Sequence, residues 1–155
     1  MDKSEEEFEG RVSTGVTCIV VAPSGEMLLQ LRDDCRGGIF PYPHMWCFPG
    51  GGKDDNDADF YETSARELNE EFGIRINKSR FEPVMNYAHD DITEDHVFIC
   101  HVTLDEARLV KLGEGDGFAW VRMNGIKKLS LAWGQSEIIP AIEAYLQISA
   151  SHGQE

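Results

Sequence analysis

Apolar residues along the chain change from strand-like to helical spacing and back, which predicts a mixed fold. Arg11 to Ala22 becomes continuously apolar towards its end, and Glu26 to Arg32 alternates apolar and polar positions. With Pro23-Ser24-Gly25 between them, these two segments predict a β-hairpin. The other predicted strands are Trp46 to Phe48, Phe81 to Ala88, His96 to Leu104 and Phe118 to Met123.

A helical pattern separates the early strands from the later ones. Its apolar stripe consists of Tyr61, Ala65, Leu68 and Phe72, at i, i+4, i+7 and i+11. Asp59 and Glu62 have the spacing of a capping box, and Gly73 suits the left-handed residue that follows a last turn. We therefore expect a helix that begins near Asp59 and ends before Gly73.

Three further helical segments are predicted downstream. Asp105 to Leu112 is either a short helix or an irregular crossing, and Asn124 to Leu129 is a short helix. A longer helix is expected from about Ser136 to Ile148, with Pro140 in its first turn, where a missing N–H is tolerated. The combination predicts an α+β fold, a layered α/β/α sandwich with a mixed sheet.

The length and the termini suggest one domain. The chain has 155 residues, enough for a single core. We assign residues 11–150 to that domain, residues 1–10 to a flexible acidic arm and residues 151–155 to a tail. Without an apolar leader or a run long enough to span a membrane, we expect a soluble, cytoplasmic protein.

The net charge limits the classes of binding partner, and the cysteine spacing indicates the redox state of the thiols. A net charge of −14 argues against nucleic acid and anionic membranes, both of which need a basic surface. Four scattered cysteines without a Cys-x-x-Cys pair indicate reduced thiols. His44 and Cys47 have ligand-like spacing, but because no second close pair answers them we do not predict zinc.

The predicted helix carries three carboxylates on one face. At 3.6 residues per turn, Glu70 lies roughly 60° to one side of Glu67 and Glu71 roughly 40° to the other. Like charges this close repel one another unless a cation compensates them, and oxygen ligands favour Mg²⁺ or Mn²⁺. The alternative at this stage is a solvated acidic face.

Two neighbouring features favour a phosphate site. Arg66 stands four residues after Glu62 and four before Glu70, a charge ladder that could orient the carboxylates. Before the helix, the turn Pro49-Gly50-Gly51-Gly52 lacks Cβ atoms, so its N–H groups can approach phosphate oxygens.

These residues resemble the box of the Nudix hydrolases, Gly-x5-Glu-x7-Arg-Glu-U-x-Glu-Glu-x-Gly-U, with U aliphatic. The matching positions are Gly52, Arg66, Glu67, Leu68, Glu70, Glu71, Gly73 and Ile74. The first Glu of the pattern is replaced by Ala58, and Gly52 is one residue more than the usual Pro-Gly-Gly. Asp57 could stand in for the missing carboxylate.

The resemblance implies the layered Nudix fold and roles for individual residues. It implies that Glu67, Glu70 and Glu71 bind Mg²⁺, that Glu70 and Glu71 are catalytic, and that an acidic residue before the last strand assists. Glu114, in Gly113-Glu114-Gly115, has that place in the chain, and Asp116 is the reserve. Acids between Asp90 and Asp95 could bind a second metal or form an ordinary polar turn. The predicted substrate-binding residues are Arg32, Gly50, Gly51, Gly52 and Arg66.

The implied activity is hydrolysis of a nucleoside diphosphate linked to another group X. The segments around Arg32 and Pro49 look like relatives that act on nucleotide sugars or on nucleoside triphosphates. We lean to nucleotide sugars such as ADP-ribose or GDP-mannose, with triphosphates, including oxidised dGTP, as the alternative. A Nudix-fold module that binds nucleotides without catalysis is a rival from another class. We expect a monomer or a homodimer.

Overall fold

A computed structural model describes residues 12–88 and 93–153, and within them seven strands form one mixed sheet. The strands are β1 (Val12–Val21), β2 (Met27–Leu31), β3 (Trp46–Cys47), β4 (Gly50–Gly52), β5 (Glu82–Ala88), β6 (Thr93–His101) and β7 (Gly117–Val121). The predicted strands are all present, although β6 begins and ends three residues earlier than predicted.

Strand β1 organises the sheet. It pairs in parallel with β6 along its length, antiparallel with β4 at Gly15 to Thr17, and antiparallel with β2 at the hairpin. Strand β2 then pairs antiparallel with β3 and β7, and β5 pairs antiparallel with β6. This topology places the glycine strand β4 beside the middle of the sheet.

Helices cover both faces of the sheet. The α-helices are α1 (Phe60–Phe72), α2 (Leu104–Arg108), α3 (Met123–Ile126) and α4 (Ile139–Gly153), with an irregular helical turn at Cys35–Gly38. Two 3₁₀ segments, Lys78–Arg80 and Ala132–Ile138, join longer elements. Because α1 and α4 lie on opposite faces, the predicted α/β/α layering is confirmed.

Strand β1 is buried on both faces, which explains its continuous apolar sequence. Cys18 and Val20 pack with Leu68 and Phe72 of α1. Ile19 and Val21 belong to a second cluster, with side chains from α3 and α4. The site elements are therefore fixed to a central strand.

The last helix begins later than predicted. Residues 132–138 form a 3₁₀ segment with a kink, because Trp133 and Gly134 have left-handed backbones, and α4 starts at Ile139. Pro140 lies in its first turn, as predicted. Helix α4 continues to Gly153, into the predicted tail, while residues 1–11 and 154–155 lie outside the description.

The four cysteines, all within the described residues, are free and buried, in agreement with the prediction of reduced thiols. No helix in the described ranges is both long enough and apolar enough to cross a membrane.

Candidate active site

Helix α1 begins and ends where its sequence predicts. The Asp59 side chain accepts a hydrogen bond from the Glu62 N–H at 2.8 Å, and Gly73 ends the helix with φ of 67°. The second half of the capping box differs, because the Glu62 carboxylate accepts from the Ala58 N–H at 2.9 Å. Glu62 therefore caps the helix start. Of the two ion pairs in the predicted charge ladder, the structure shows the one between Arg66 and Glu70.

Arg66 organises the acidic side of α1. Its Nη1 donates to Glu67 Oε1 and to Glu70 Oε2, both at 3.1 Å, and its Nη2 donates to the Gly52 carbonyl at 2.8 Å. Nε and Nη2 also donate to the Asp57 carboxylate at 3.0 Å. The guanidinium of Arg66 therefore donates its hydrogen bonds to protein acceptors, and these bonds hold the glycine turn and the carboxylates together. Its contact with substrate stays a prediction.

Asp57 is the buried partner of this arginine. Its side chain also accepts from the Thr63 hydroxyl at 2.9 Å and from the Asp54 N–H at 3.0 Å. The hydrogen bonds from Arg66, more than any other contact, lower the pKa of Asp57 to about 2. A carboxylate with this set of donors is held ionised in one position.

The position of Asp57 accounts for the motif defect at Ala58. Counted from Gly51 instead of Gly52, five residues separate the glycine from Asp57, as the pattern requires for its first Glu. The extra residue then falls between Asp57 and Arg66. Ala58 itself is exposed, so the carboxylate that contacts Arg66 comes from Asp57.

The glycine turn owes its composition to close approach. A Cβ atom on Gly51 would lie 2.3 Å from Glu67 Oε1, and one on Gly50 would lie 2.1 Å from the Val16 carbonyl oxygen. A Cβ on Gly52, by contrast, would meet the Thr14 oxygen at 3.8 Å, an ordinary contact. Gly50 and Gly51 thus let β4 fit between β1 and α1. Phosphate binding by the turn stays a prediction.

Glu71 has an unusual buried carboxyl group. Its side chain is 3% exposed, and Oε2 has no hydrogen-bond partner within the described residues. Burial raises the pKa of Glu71, and the hydrogen bond and charge of Glu67 raise it further; the Gly50 N–H works in the opposite direction. Burial likewise raises the pKa of Glu67. The surroundings of this pair therefore disfavour two carboxylate charges at once.

Glu114 lies at the end of the same acidic surface. The Gly113 N–H donates to the Glu71 carbonyl at 2.7 Å, and Gln30 Nε2 donates to the Glu114 carbonyl at 3.0 Å. The Glu114 charge contributes to the raised pKa of Glu71. The structure therefore brings Glu114 near Glu71, although Glu114 is exposed.

The other acidic candidates have different surroundings. Asp116 lies 3.8 Å from His44 Nδ1, so it contacts the loop between β2 and β3. Residues 89–92 of the predicted acidic turn lie outside the description. Asp95 belongs to β6, where its Oδ2 accepts from the Thr17 hydroxyl at 3.4 Å.

The carboxylates suit a divalent cation in their chemistry. Within the described ranges, no three His, Cys, Asp or Glu side chains are arranged to enclose an ion, and Glu70 is turned towards Arg66. Nevertheless, Glu67 and Glu71 supply oxygen donors, and the unpartnered Glu71 oxygen is an acceptor that a cation would satisfy. The donor set therefore fits Mg²⁺ or Mn²⁺.

A cavity of about 280 Å³, the central cavity, opens on the other side of the glycine turn. It is lined by residues 14–17, Gln30, Arg32, Cys47, Phe48, Gly50–Gly52, Asp95, Trp133 and Gln135. A second cavity of about 300 Å³ contains Glu114, and Gln30 and Arg32 line both. The two residues therefore connect the central cavity to the Glu114 loop.

Arg32 lines the central cavity, and its guanidinium group already donates hydrogen bonds to backbone carbonyls. Nε donates to the Tyr42 carbonyl at 3.2 Å, and Nη2 donates to the Pro41 carbonyl at 3.0 Å. The guanidinium carbon lies 4.3 Å from the centroid of the Trp133 ring. Arg32 thus ties the long β2–β3 loop to Trp133, and its predicted contact with substrate stays a prediction.

Sequence reasoning missed Trp133 and Gln135. Both belong to the 3₁₀ segment, for which no periodic pattern was available, and Trp133 has an unexpected left-handed backbone with φ of 54°. One signal could have found Gln135: it lies three positions from each of the apolar residues Ala132 and Ile138, and all three side chains are buried.

Comparison with known proteins agrees with the motif. The model of the NUDIX domain family matches residues 12–142. Nudix hydrolase 3 of Arabidopsis thaliana is 30% identical over 81 residues, which are 52% of this chain and 10% of that protein. The chain thus spans about a tenth of the curated relative that it matches.

Solved structures share the fold at low sequence identity. The MutT protein of Methanosarcina mazei Go1 has a TM-score of 0.66 and 22% identity, covering 88% of this chain and 96% of the other. The NUDIX domain of Shewanella oneidensis NrtR, solved with ADP ribose, has a TM-score of 0.70 and 15% identity, covering 94% and 99%.

Proposed function

The chain belongs to the Nudix hydrolase family, and from that premise we propose that it is a metal-dependent pyrophosphohydrolase. Its substrate would be a nucleoside diphosphate linked to another group X. One observation carries this proposal: the buried pair Glu67 and Glu71, with an unpartnered oxygen, lies against the glycine turn that also lines the central cavity. A diphosphate could reach the carboxylates there while the rest of the substrate occupies the cavity.

Nudix hydrolases in general use divalent metal ions. In this chain Glu67, Glu70 and Glu71 would hold Mg²⁺ or Mn²⁺, which supplies Lewis-acid polarisation and charge neutralisation for a diphosphate. Release of Glu70 from Arg66 would complete that set. A bound divalent cation would also offset the repulsion between a chain of net charge −14 and a polyanionic substrate.

The protein groups have separable tasks in this proposal. Arg66 and Asp57 fix the glycine turn relative to α1, so the carboxylates need little rearrangement. Glu114, anchored through Gln30 and Gly113, would accept a proton from the attacking water or add a ligand. The Gly50 N–H is already used by the Glu71 carboxylate, so backbone contact with phosphate oxygens would fall to the rest of the glycine turn, Gly51 and Gly52.

For the substrate we favour nucleotide sugars such as ADP-ribose or GDP-mannose. The central cavity is near the lower end of small-molecule sites, a size that suits one nucleoside rather than two. The NrtR domain of similar fold was solved with ADP ribose. Nucleoside triphosphates, including oxidised dGTP, remain the second candidate because a MutT protein has the same fold. We retain a cytoplasmic location as part of the proposal.

A binding module without catalysis is less well supported. The replacement of the first Glu of the family pattern by Ala58 would favour such a module. In the structure, however, Asp57 supplies a carboxylate to Arg66. The three glutamates of α1 are intact.

The test is a hydrolysis panel. The protein is incubated with Mg²⁺ and nucleotide sugars, dinucleoside polyphosphates or nucleoside triphosphates, and phosphate-bearing products are separated and measured. We expect turnover of at least one nucleotide sugar, abolished by EDTA and by Glu70→Gln. Glu26→Gln, on the turn at the far end of β1, is the matched control. No turnover of any compound would refute the enzyme proposal.

A further inference from the structure

The proposed function assigns no part of the substrate to the second cavity, of about 300 Å³. This cavity shares Gln30 and Arg32 with the central cavity and contains Glu114, whose loop is fixed to α1 by the bond from the Gly113 N–H to the Glu71 carbonyl. A substrate with a group on each side of its diphosphate has two ends to place, and the central cavity accounts for one. The second cavity is in the right place for the other.

The polar groups that the second cavity offers are mainly acceptors. Gln30 is 8% exposed and donates through Nε2 to the Glu114 carbonyl, which leaves Oε1 without a partner among residues 12–88 and 93–153. Asp33 Oδ1 accepts from the Cys35 N–H at 2.7 Å, which fixes the carboxylate, and no described residue donates to Oδ2. Glu114 adds a second carboxylate. The cavity therefore suits a ligand with several O–H donors.

The other residues of the lining do not favour an anion. The Arg32 guanidinium donates through Nη2 to the Pro41 carbonyl, within its own loop. Phe40 supplies an aromatic ring that is 48% exposed, and the Arg36 guanidinium lies over that ring without lining the cavity. A phosphate would bring only acceptors and negative charge towards acceptor oxygens and two carboxylates. A sugar would bring hydroxyl donors, and its C–H face could pack on the ring.

We propose that the second cavity binds the group X of the substrate, and that it takes an uncharged sugar in preference to an acidic sugar or a phosphate. This inference rests on the proposed function for the presence of the diphosphate. Gln30 Oε1 and Asp33 Oδ2 would accept from sugar hydroxyls, and Phe40 would pack against the sugar ring. The charge of Glu114 would add to that of Asp33 in repelling an acidic X.

A matched pair of ligands tests the charge of X. GDP-mannose and GDP-mannuronate share the base, the diphosphate and the sugar ring, and differ by a carboxylate in X. Titration by ligand-observed NMR in EDTA measures affinity without turnover and shows which ligand protons contact the protein. At low ionic strength we expect GDP-mannose to bind at least about tenfold more tightly, and the ratio to fall as salt is added. ADP-ribose and its terminal 5-phosphate make the same comparison with adenine as the base.

Two variants separate the contributions of charge and packing. Asp33→Asn keeps an oxygen for the Cys35 N–H and removes the charge, so discrimination against the acidic ligand should fall to about threefold or less. Phe40→Ala should weaken GDP-mannose binding about fivefold, reduce saturation transfer to the mannose protons and leave the affinity for GMP unchanged. Asp34→Asn and Ile39→Ala, the same changes at neighbouring positions that do not line the cavity, should behave as wild type.

Several results would overturn the inference. They are equal wild-type affinities within each ligand pair, discrimination that is unchanged in Asp33→Asn, or a Phe40→Ala variant that loses as much affinity for GMP as for GDP-mannose. Nucleotide sugars that bind no more tightly than the nucleoside monophosphates would also overturn it. A preference for the uncharged sugar without hydrolysis in the panel would instead refute the proposed function and leave the assignment of the cavity standing. Hydrolysis of nucleotide sugars without that preference would do the reverse.

Discussion

The two sides of the central cavity are stabilised in different ways. The helix side, Gly50–Gly52 with α1, is joined by contacts between residues close in sequence: Arg66 reaches Asp57 across nine positions and Gly52 across 14. The aromatic side is formed by Arg32, Phe48, Trp133 and Gln135, with Tyr42 packed on Trp133, and depends on distant segments. Phe48 and Gln135, for example, are 87 positions apart.

The backbone differs as well. Gly50 and Gly73 supply the helix side's positive φ values, whereas Tyr42 and Trp133 adopt left-handed backbones of 63° and 54° without being glycine. A left-handed non-glycine residue costs about 1–2 kcal/mol, so packing must hold it in place. The Tyr42 and Trp133 rings contact each other, with centroids 5.3 Å apart. In the proposed function, the helix side would carry the chemistry and the aromatic side would contact the rest of the substrate.

The largest expected effect tests the chemistry of the helix side. Glu71→Gln should lower kcat by at least about a hundredfold, the scale expected when a group that stabilises the transition state is lost. The free energy of unfolding without metal should change little, because burial and Glu67 already raise the pKa of Glu71 and favour its uncharged form, which glutamine resembles. Steady-state kinetics and urea unfolding measure the two effects. An unchanged rate would remove Glu71 from the site.

The three glycines provide a matched series on the same side. Gly51→Ala should lower kcat about tenfold with little loss of stability, since its Cβ would displace the movable end of Glu67. Gly50→Ala should destabilise the fold by more than about 2 kcal/mol, because its Cβ would meet the Val16 backbone. Gly52→Ala is the control for stability, expected to match wild type in thermal unfolding because its Cβ would make only an ordinary contact. Equal effects at all three positions would contradict the close-approach explanation.

The helix side could be predicted from the sequence much better than the aromatic side. Helix α1, its Asp59 cap and its carboxylate face could be predicted because each depends on spacing within one segment. The sequence offers Asp57 as a substitute for the missing carboxylate, but the contact of Asp57 with Arg66 depends on the folded loop and could not be predicted. Trp133 and Gln135 could not be placed, because their 3₁₀ segment is short and kinked and because the contact with Phe48 is tertiary.

The Asp57–Arg66 pair should contribute stability that depends on pH. The folded-state pKa of about 2 lies below the ordinary value of about 3.9 for Asp. The stabilisation is therefore present above about pH 4 and is lost as pH falls towards 2. Asp57→Asn should cost about 2 kcal/mol at neutral pH, less than other buried pairs because Arg66 keeps two glutamates. It should also flatten the decline in unfolding free energy between those pH values.

Variants at two nearby positions serve as controls for the Asp57→Asn prediction. Asp55→Asn, an exposed change in the same loop, should leave both the unfolding free energy and its pH profile as in wild type. Ala58→Glu restores the residue of the family pattern, but with Arg66 already engaged by Asp57 it should change kcat by less than about twofold. A pH profile of Asp57→Asn identical to wild type, or a tenfold gain in Ala58→Glu, would show that position 57 has not taken over the carboxylate's task.

The smallest expected effect belongs to the aromatic side. Arg32→Lys keeps the charge but loses the planar group that donates to the Pro41 and Tyr42 carbonyls while covering Trp133. Because this arrangement shapes the cavity and does not touch the carboxylates, KM should rise about threefold to fivefold and kcat should change little. Arg36→Lys, in the same loop but exposed, is the control for steady-state kinetics on the best substrate of the panel. A fall in kcat at unchanged KM would mean that Arg32 acts on the chemistry, and the separation of the two sides would then fail.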